Sequence, residues 1–200
     1  MSTRVVLSLV LMAIAGCSRG GEAMDVKGKT GPAPPGATAK AKLVVTSPAF
    51  TEGQPVPKEY TGEGADRSPP LSWSGAPAQT KEFALLVSDP DAPAGTWYHW
   101  VLYNLPATVT SLPEGLPRQA VLTEPVKARQ GLNSWSSGNV GYRGPMPPPG
   151  HGRHRYYFTV YALDAHLELA PNLATPQAFQ KALTGHVLAE GQLLGTYERK

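Results

Sequence analysis

One cysteine in 200 residues leaves no partner for an internal disulfide, so the fold of this chain rests on packing alone. Charged residues make up only 16% of the sequence and aromatic residues 8%. Lysine and arginine exceed aspartate and glutamate by 18 to 15, a formal charge of +3, and no long basic block concentrates that excess. The dense cationic footprint of a nucleic-acid binder is therefore missing, and nucleic acid is excluded as a partner. No repeat of fixed period is visible, which argues against a propeller or solenoid. Glycine and proline, by contrast, are abundant. They number 21 each, 42 of 200, where about 12% is ordinary. So many conformational punctuators exclude a coiled coil or helical bundle and favour short strands joined by ordered turns. The length suits one globular unit with an extra segment.

The extra segment is N-terminal. Arg4 precedes a ten-residue apolar run, Val5 to Ile14, which is bordered by Ala15, Gly16 and Cys17. Ten helical residues rise about 15 Å, half of a hydrocarbon core of about 30 Å, so the run reads as an export signal and not as a membrane span. Ile14-Ala15-Gly16-Cys17 resembles the lipobox of bacterial lipoprotein precursors, which implies cleavage after residue 16 and a lipid on Cys17. The other reading is an ordinary secretory signal followed by an unpaired thiol. Ser18 to Lys42 contains no aromatic residue and many glycines and prolines; it cannot build a core and reads as a flexible tether. Gly28-Lys29-Thr30 looks like the end of a phosphate loop, but Ala23 stands where that motif requires glycine. The expected organisation is a signal peptide at 1–16, lipidated Cys17 and tether at 17–42, and a folded domain at 43–200.

Within that domain, alternating or continuous apolar runs predict strands over 42–45, 71–73, 83–88, 97–105, 156–163 and about 188–197. Phe83 to Val87 is nearly continuous hydrophobe and should lie centrally with both faces covered. One helix is predicted: Thr175 caps it, Pro176 opens it, Ala178, Phe179, Ala182 and Leu183 form its apolar stripe, and Gly185 closes it.

Groups able to do chemistry gather in two neighbourhoods. In the first, the run Phe83 to Val87 leads into Ser88-Asp89-Pro90-Asp91-Ala92-Pro93, followed by Trp97-Tyr98-His99-Trp100. The aspartates either serve a proline turn by accepting local backbone N–H groups or stand as functional carboxylates at a strand's mouth. The second neighbourhood is Gly141 to Tyr156, in which Pro145, Pro147, Pro148 and Pro149 stiffen the chain and Gly150 and Gly152 let it bend. Two-residue periodicity puts His154 and Tyr156 on one side of the following strand and Arg153 and Arg155 on the other. By pattern alone, His154 is either a solvated histidine or a ligand-binding one. Asp89, His99 and His154 also contain the ingredients of a metal site, but His-Glu-x-x-His and Gly-x-Ser-x-Gly are both absent. No catalytic residue, resident metal or cofactor is expected.

These neighbourhoods carry a resemblance. Asp89-Pro90-Asp91-Ala92-Pro93, Trp97 to Trp100, and Pro147-Pro148 with Gly150, Gly152 and His154-Arg155-Tyr156 resemble the phosphatidylethanolamine-binding protein (PEBP) family. Ser68 to Trp73, Gly141 to Pro145 and Gly185 to Glu190 resemble its bacterial, Raf-kinase-inhibitor-like branch. The resemblance implies a mainly β fold, a large antiparallel sheet packed on a smaller one with few short helices. It also implies a pocket lined by Asp89, His99, Pro148, His154 and Tyr156, with Asp91 and Pro147 beside them. Such a pocket is expected to bind a small anion or phospholipid head group without catalysis, with protonated histidines and the Tyr156 hydroxyl donating to phosphate oxygens. Two features depart from the branch: Met146 stands where many relatives carry cysteine, and Thr61 to Gly64 lacks the cysteine common in that turn. The implied setting is a bacterial envelope lipoprotein, membrane-bound through its anchor, with Ser18 pointing to the outer membrane facing the periplasm. A homodimer and a regulatory role are further expectations; no protein partner is specified. The alternatives are an interaction or inhibitor module with a vestigial pocket, and a His/Asp metal-dependent hydrolase.

Overall fold

The computed structural model describes residues 41–135 and 138–200. The expected signal peptide, Cys17 and the expected tether up to residue 40 lie outside the described residues. Ten strands are formed among them: β1 (Ala41–Lys42), β2 (Val44–Thr46), β3 (Leu71–Ser74), β4 (Glu82–Asp89), β5 (Trp97–Pro106), β6 (Ser111–Leu112), β7 (Val121–Leu122), β8 (Ala128–Gln130), β9 (His154–Leu163) and β10 (Val187–Tyr197). They make a seven-stranded sheet ordered β1-β10-β9-β4-β5-β8-β7 and a three-stranded sheet ordered β2-β3-β6. The protein is thus mainly β, a large sheet with a smaller one. The β1–β10 pair is parallel while the other strand pairs are antiparallel, and Ala41, which the expected tether included, already belongs to the sheet together with Lys42.

β4 sits between β5 and β9, and its apolar run alternates between two cores. Phe83, Leu85 and Val87 join Trp73, Leu71 and Val45 of the smaller sheet, whereas Ala84 and Leu86 join Phe179 and Leu183. A run without polar alternation therefore fits a strand covered on both faces, each large side chain contributing about 1.5–3 kcal/mol of burial. The helix α1 (Pro176–Leu183) forms as its sequence predicts. The Thr175 hydroxyl oxygen accepts the Ala178 N–H at 3.1 Å, and Gly185 ends the segment at φ +86°. β6, β7 and β8 escape the sequence pattern because pieces of two or three residues carry no periodicity.

Candidate functional site

Three neighbouring strands of the large sheet bring their chemistry to one end. β4 finishes on Asp89, β9 starts on His154 with Tyr156 two residues on, and β5 carries His99 near its start. Val87 pairs with Trp100 but Ser88 with Tyr98, so His99 is the extra residue of a β-bulge. A bulge turns a side chain out of the regular alternation. His99 lies at the start of a stretch of β5, residues 99–105, that is buried throughout.

His154 Nδ1 donates to Asp89 Oδ2 at 2.7 Å, and Asp89 Oδ1 accepts the Asp91 N–H at 2.8 Å. Asp89 thus serves its own proline turn and also reaches across to His154. Asp91 faces elsewhere. Its carboxylate accepts the Arg155 backbone N–H and two guanidinium N–H groups at 2.8–2.9 Å, and Arg155 holds it below the usual carboxylate range. Asp91 does not line the cavity; it clamps the rim loop to β9. The outer nitrogen of His154, Nε2, lies 2.8 Å from Nδ1 of His151. His151 is thus attached to the site. Gly150 and Gly152 on either side hold φ values of +73° and +84°, a conformation open to glycine and strained for other residues.

His99 is fixed from behind. Its Nδ1 lies 2.6 Å from the Arg143 carbonyl, which can only accept, so Nδ1 carries a proton. The Arg143–Gly144 segment is itself held. The Gly144 N–H donates to Asp66 Oδ1 at 2.6 Å, the Arg143 guanidinium pairs with Asp66 at 3.5 Å, and that guanidinium lies over the Trp135 ring. A Cβ at Gly144 would run into the Tyr60 carbonyl, so only glycine lets the two backbones approach this closely. Burial pushes the His99 pKa down to about 4, against the opposing pull of the Arg143 carbonyl and the Asp89 charge. His99 is neutral at physiological pH, which corrects the expectation of a protonated donor there. Its Nε2 is buried and has no hydrogen-bond partner among the described residues. The Tyr156 hydroxyl is also buried and, among the described residues, has no partner at full hydrogen-bond geometry; desolvation first, then the charge and hydrogen-bonding pull of the nearby Asp89 carboxylate, push its pKa far above the ordinary phenol value.

Asp89, His99, Pro147, Pro148, His154 and Tyr156 line one cavity of about 220 Å³. The four polar residues among them are each no more than 3% exposed and form its floor. Its walls include Trp97, Trp135, Met146 and Pro93, which the sequence-based site lacked. Trp97 had a signal, since it precedes His99 by two on the same strand. Trp135 had none; it comes from an irregular segment and reaches the site by packing edge-on against Trp97 and His99. Among the described residues, no three His, Cys, Asp or Glu side chains converge as a metal would require.

Residues 46–198 match the sequence model of the family described as phosphatidylethanolamine-binding protein. A UPF0098 protein of Pyrococcus horikoshii is 41% identical over 196 residues, covering 98% of this chain and 88% of that protein. A UPF0098 protein of Methanothermobacter thermautotrophicus is 46% identical over 151 residues, covering 76% and 95%. Two solved structures are similar in fold. One is a phosphatidylethanolamine-binding protein homologue from Chlamydia trachomatis, with a TM-score of 0.69 and 40% identity, covering 80% of this chain and 99% of the other. The second is YbcL of E. coli, described as a member of the mammalian PEBP family, with a TM-score of 0.72 and 34% identity, covering 81% and 100%.

Proposed function

The chain belongs to the phosphatidylethanolamine-binding protein family, and from that membership we propose that its cavity binds a small ligand through a phosphate-type group without catalysing a reaction on it. One observation carries the reading: His99 Nε2 and the Tyr156 hydroxyl, both on side chains lining the cavity, have no hydrogen-bond partner of good geometry among the described residues. Buried polar atoms are almost always paired, so two orphans at one cavity call for a ligand that completes them. Asp89 does not meet that ligand as a bare charge, because its oxygens are engaged by His154 and the Asp91 N–H. His154 supplies a further contact when its Nε2 exchanges His151 for the ligand. Pro147 and Pro148 wall the site with backbone that loses little freedom on binding.

A free phosphate ester and a phospholipid head group share this chemistry. The proposed setting is a bacterial envelope membrane, with the domain held on the periplasmic side of the outer membrane by a lipid on Cys17. A regulatory role and a homodimer complete the proposal. Calorimetric titration of the full chain with methyl phosphate tests the binding site. His154→Gln retains an N–H for Asp89 and removes the imidazole, and it should weaken binding about tenfold or more. Unchanged affinity would refute the assignment.

A further inference from the structure

We infer that the cavity selects a phosphate group that still carries one proton, a phosphomonoester monoanion, over a phosphodiester or a fully ionised monoester. This rests on the reading that the cavity takes a phosphate group at all. Two observations converge on it, the donor and acceptor pattern of the floor and its charge.

The Arg143 carbonyl fixes the His99 proton on Nδ1 at 2.6 Å, so in the neutral ring Nε2 is a lone pair that accepts. The Asp89 and Asp66 carboxylates pull toward a second proton on His99, but burial outweighs them. Asp89 on β4 is engaged by His154, and the Asp66 carboxylate is paired with Arg118 and Arg143. Tyr156 on β9 is neutral, and the rings of Tyr156 and Trp135 meet the imidazole edge-on. Burial accordingly holds the ring neutral down to about pH 4. The Tyr156 hydroxyl, protonated throughout, supplies a donor. The floor thus presents one acceptor and one donor, and a P–OH beside a P–O⁻ matches both. The free oxygens of a diester only accept, and so do those of a dianion; either would leave Nε2 unpaired in a closed site. Charge points the same way. Asp89 lines the cavity and, among the described residues, no lysine or arginine does, so a second negative charge on the ligand is disfavoured.

The test is calorimetric titration of the full chain with methyl phosphate and with dimethyl phosphate, at about pH 5.5 and about pH 8, on either side of a phosphomonoester's second pKa of about 6. Dimethyl phosphate keeps a single charge throughout and serves as the reference ligand at both pH values. At the lower pH the monoester should bind about tenfold or more tighter than the diester. That preference should shrink by about tenfold per pH unit above the second pKa, as the monoanion is depleted. Equal affinities at the lower pH, or a ratio that ignores pH, would overturn this inference and leave the proposed phosphate site standing. Binding of neither ester would overturn both. Ring ¹⁵N spectra of His99 give a second readout without ligand: Nδ1 protonated and Nε2 bare at both pH values supports the inference, and a doubly protonated ring overturns it.

Discussion

A histidine enters a chain with a pKa near 6.5 and two interchangeable nitrogens. At position 99 burial removes the charge and the Arg143 carbonyl chooses the tautomer. The consequence for stability has a definite sign. The unfolded chain takes up a proton near pH 6.5, which the native ring refuses until about pH 4, so native stability falls as pH drops through that window and stops falling below it. His99 alone contributes a loss of about 3 kcal/mol across it. Urea unfolding at a series of pH values, compared with His99→Asn, checks this: the variant should lack the step, and identical profiles would contradict it. His154 and Asp89 show what residue types alone convey. A carboxylate and an imidazole near Pro-Gly turns were recognisable as candidates, and the structure joins them at 2.7 Å. That His151 attaches to His154, and that Asp91 turns away to Arg155, depends on rotamers and loop path, which no spacing rule encodes.

Elements differ in how plainly their sequences announce them. β4 is a continuous apolar run and β9 alternates at its start, so both were legible; α1 has its cap, proline and stripe in order. The bulge that aims His99 leaves no such trace, because it is a mismatch between two strands and belongs to neither sequence by itself. The Arg143–Gly144 segment that cradles His99 is also a pairwise matter, set by its approach to Tyr60 and Thr61 and by Asp66 at φ +54°. Gly144→Ala should therefore cost about 1–3 kcal/mol in urea unfolding, as overpacking against backbone does. It should also weaken methyl phosphate binding, because the carbonyl that orients His99 must shift. Wild-type stability in that variant would show the segment to be freely displaceable.

For the whole molecule, the proposed anchor and the cavity make separable claims. Cys17→Ser should abolish association with the membrane fraction while leaving methyl phosphate affinity unchanged; a variant that stays membrane-bound would remove the lipid from the proposal. Family, strand content and the location of chemistry in two short segments were determined by the sequence, since they follow from residue types, turn chemistry and hydrophobic period, all local quantities. Only the tertiary structure decided that His99 is neutral, that its Nε2 and the Tyr156 hydroxyl are orphaned, and that Trp135 and Met146 help wall the cavity. Those properties are desolvation, close approach and shared enclosure. Each is set by atoms distant in the chain, and it exists only once the strands have been brought together.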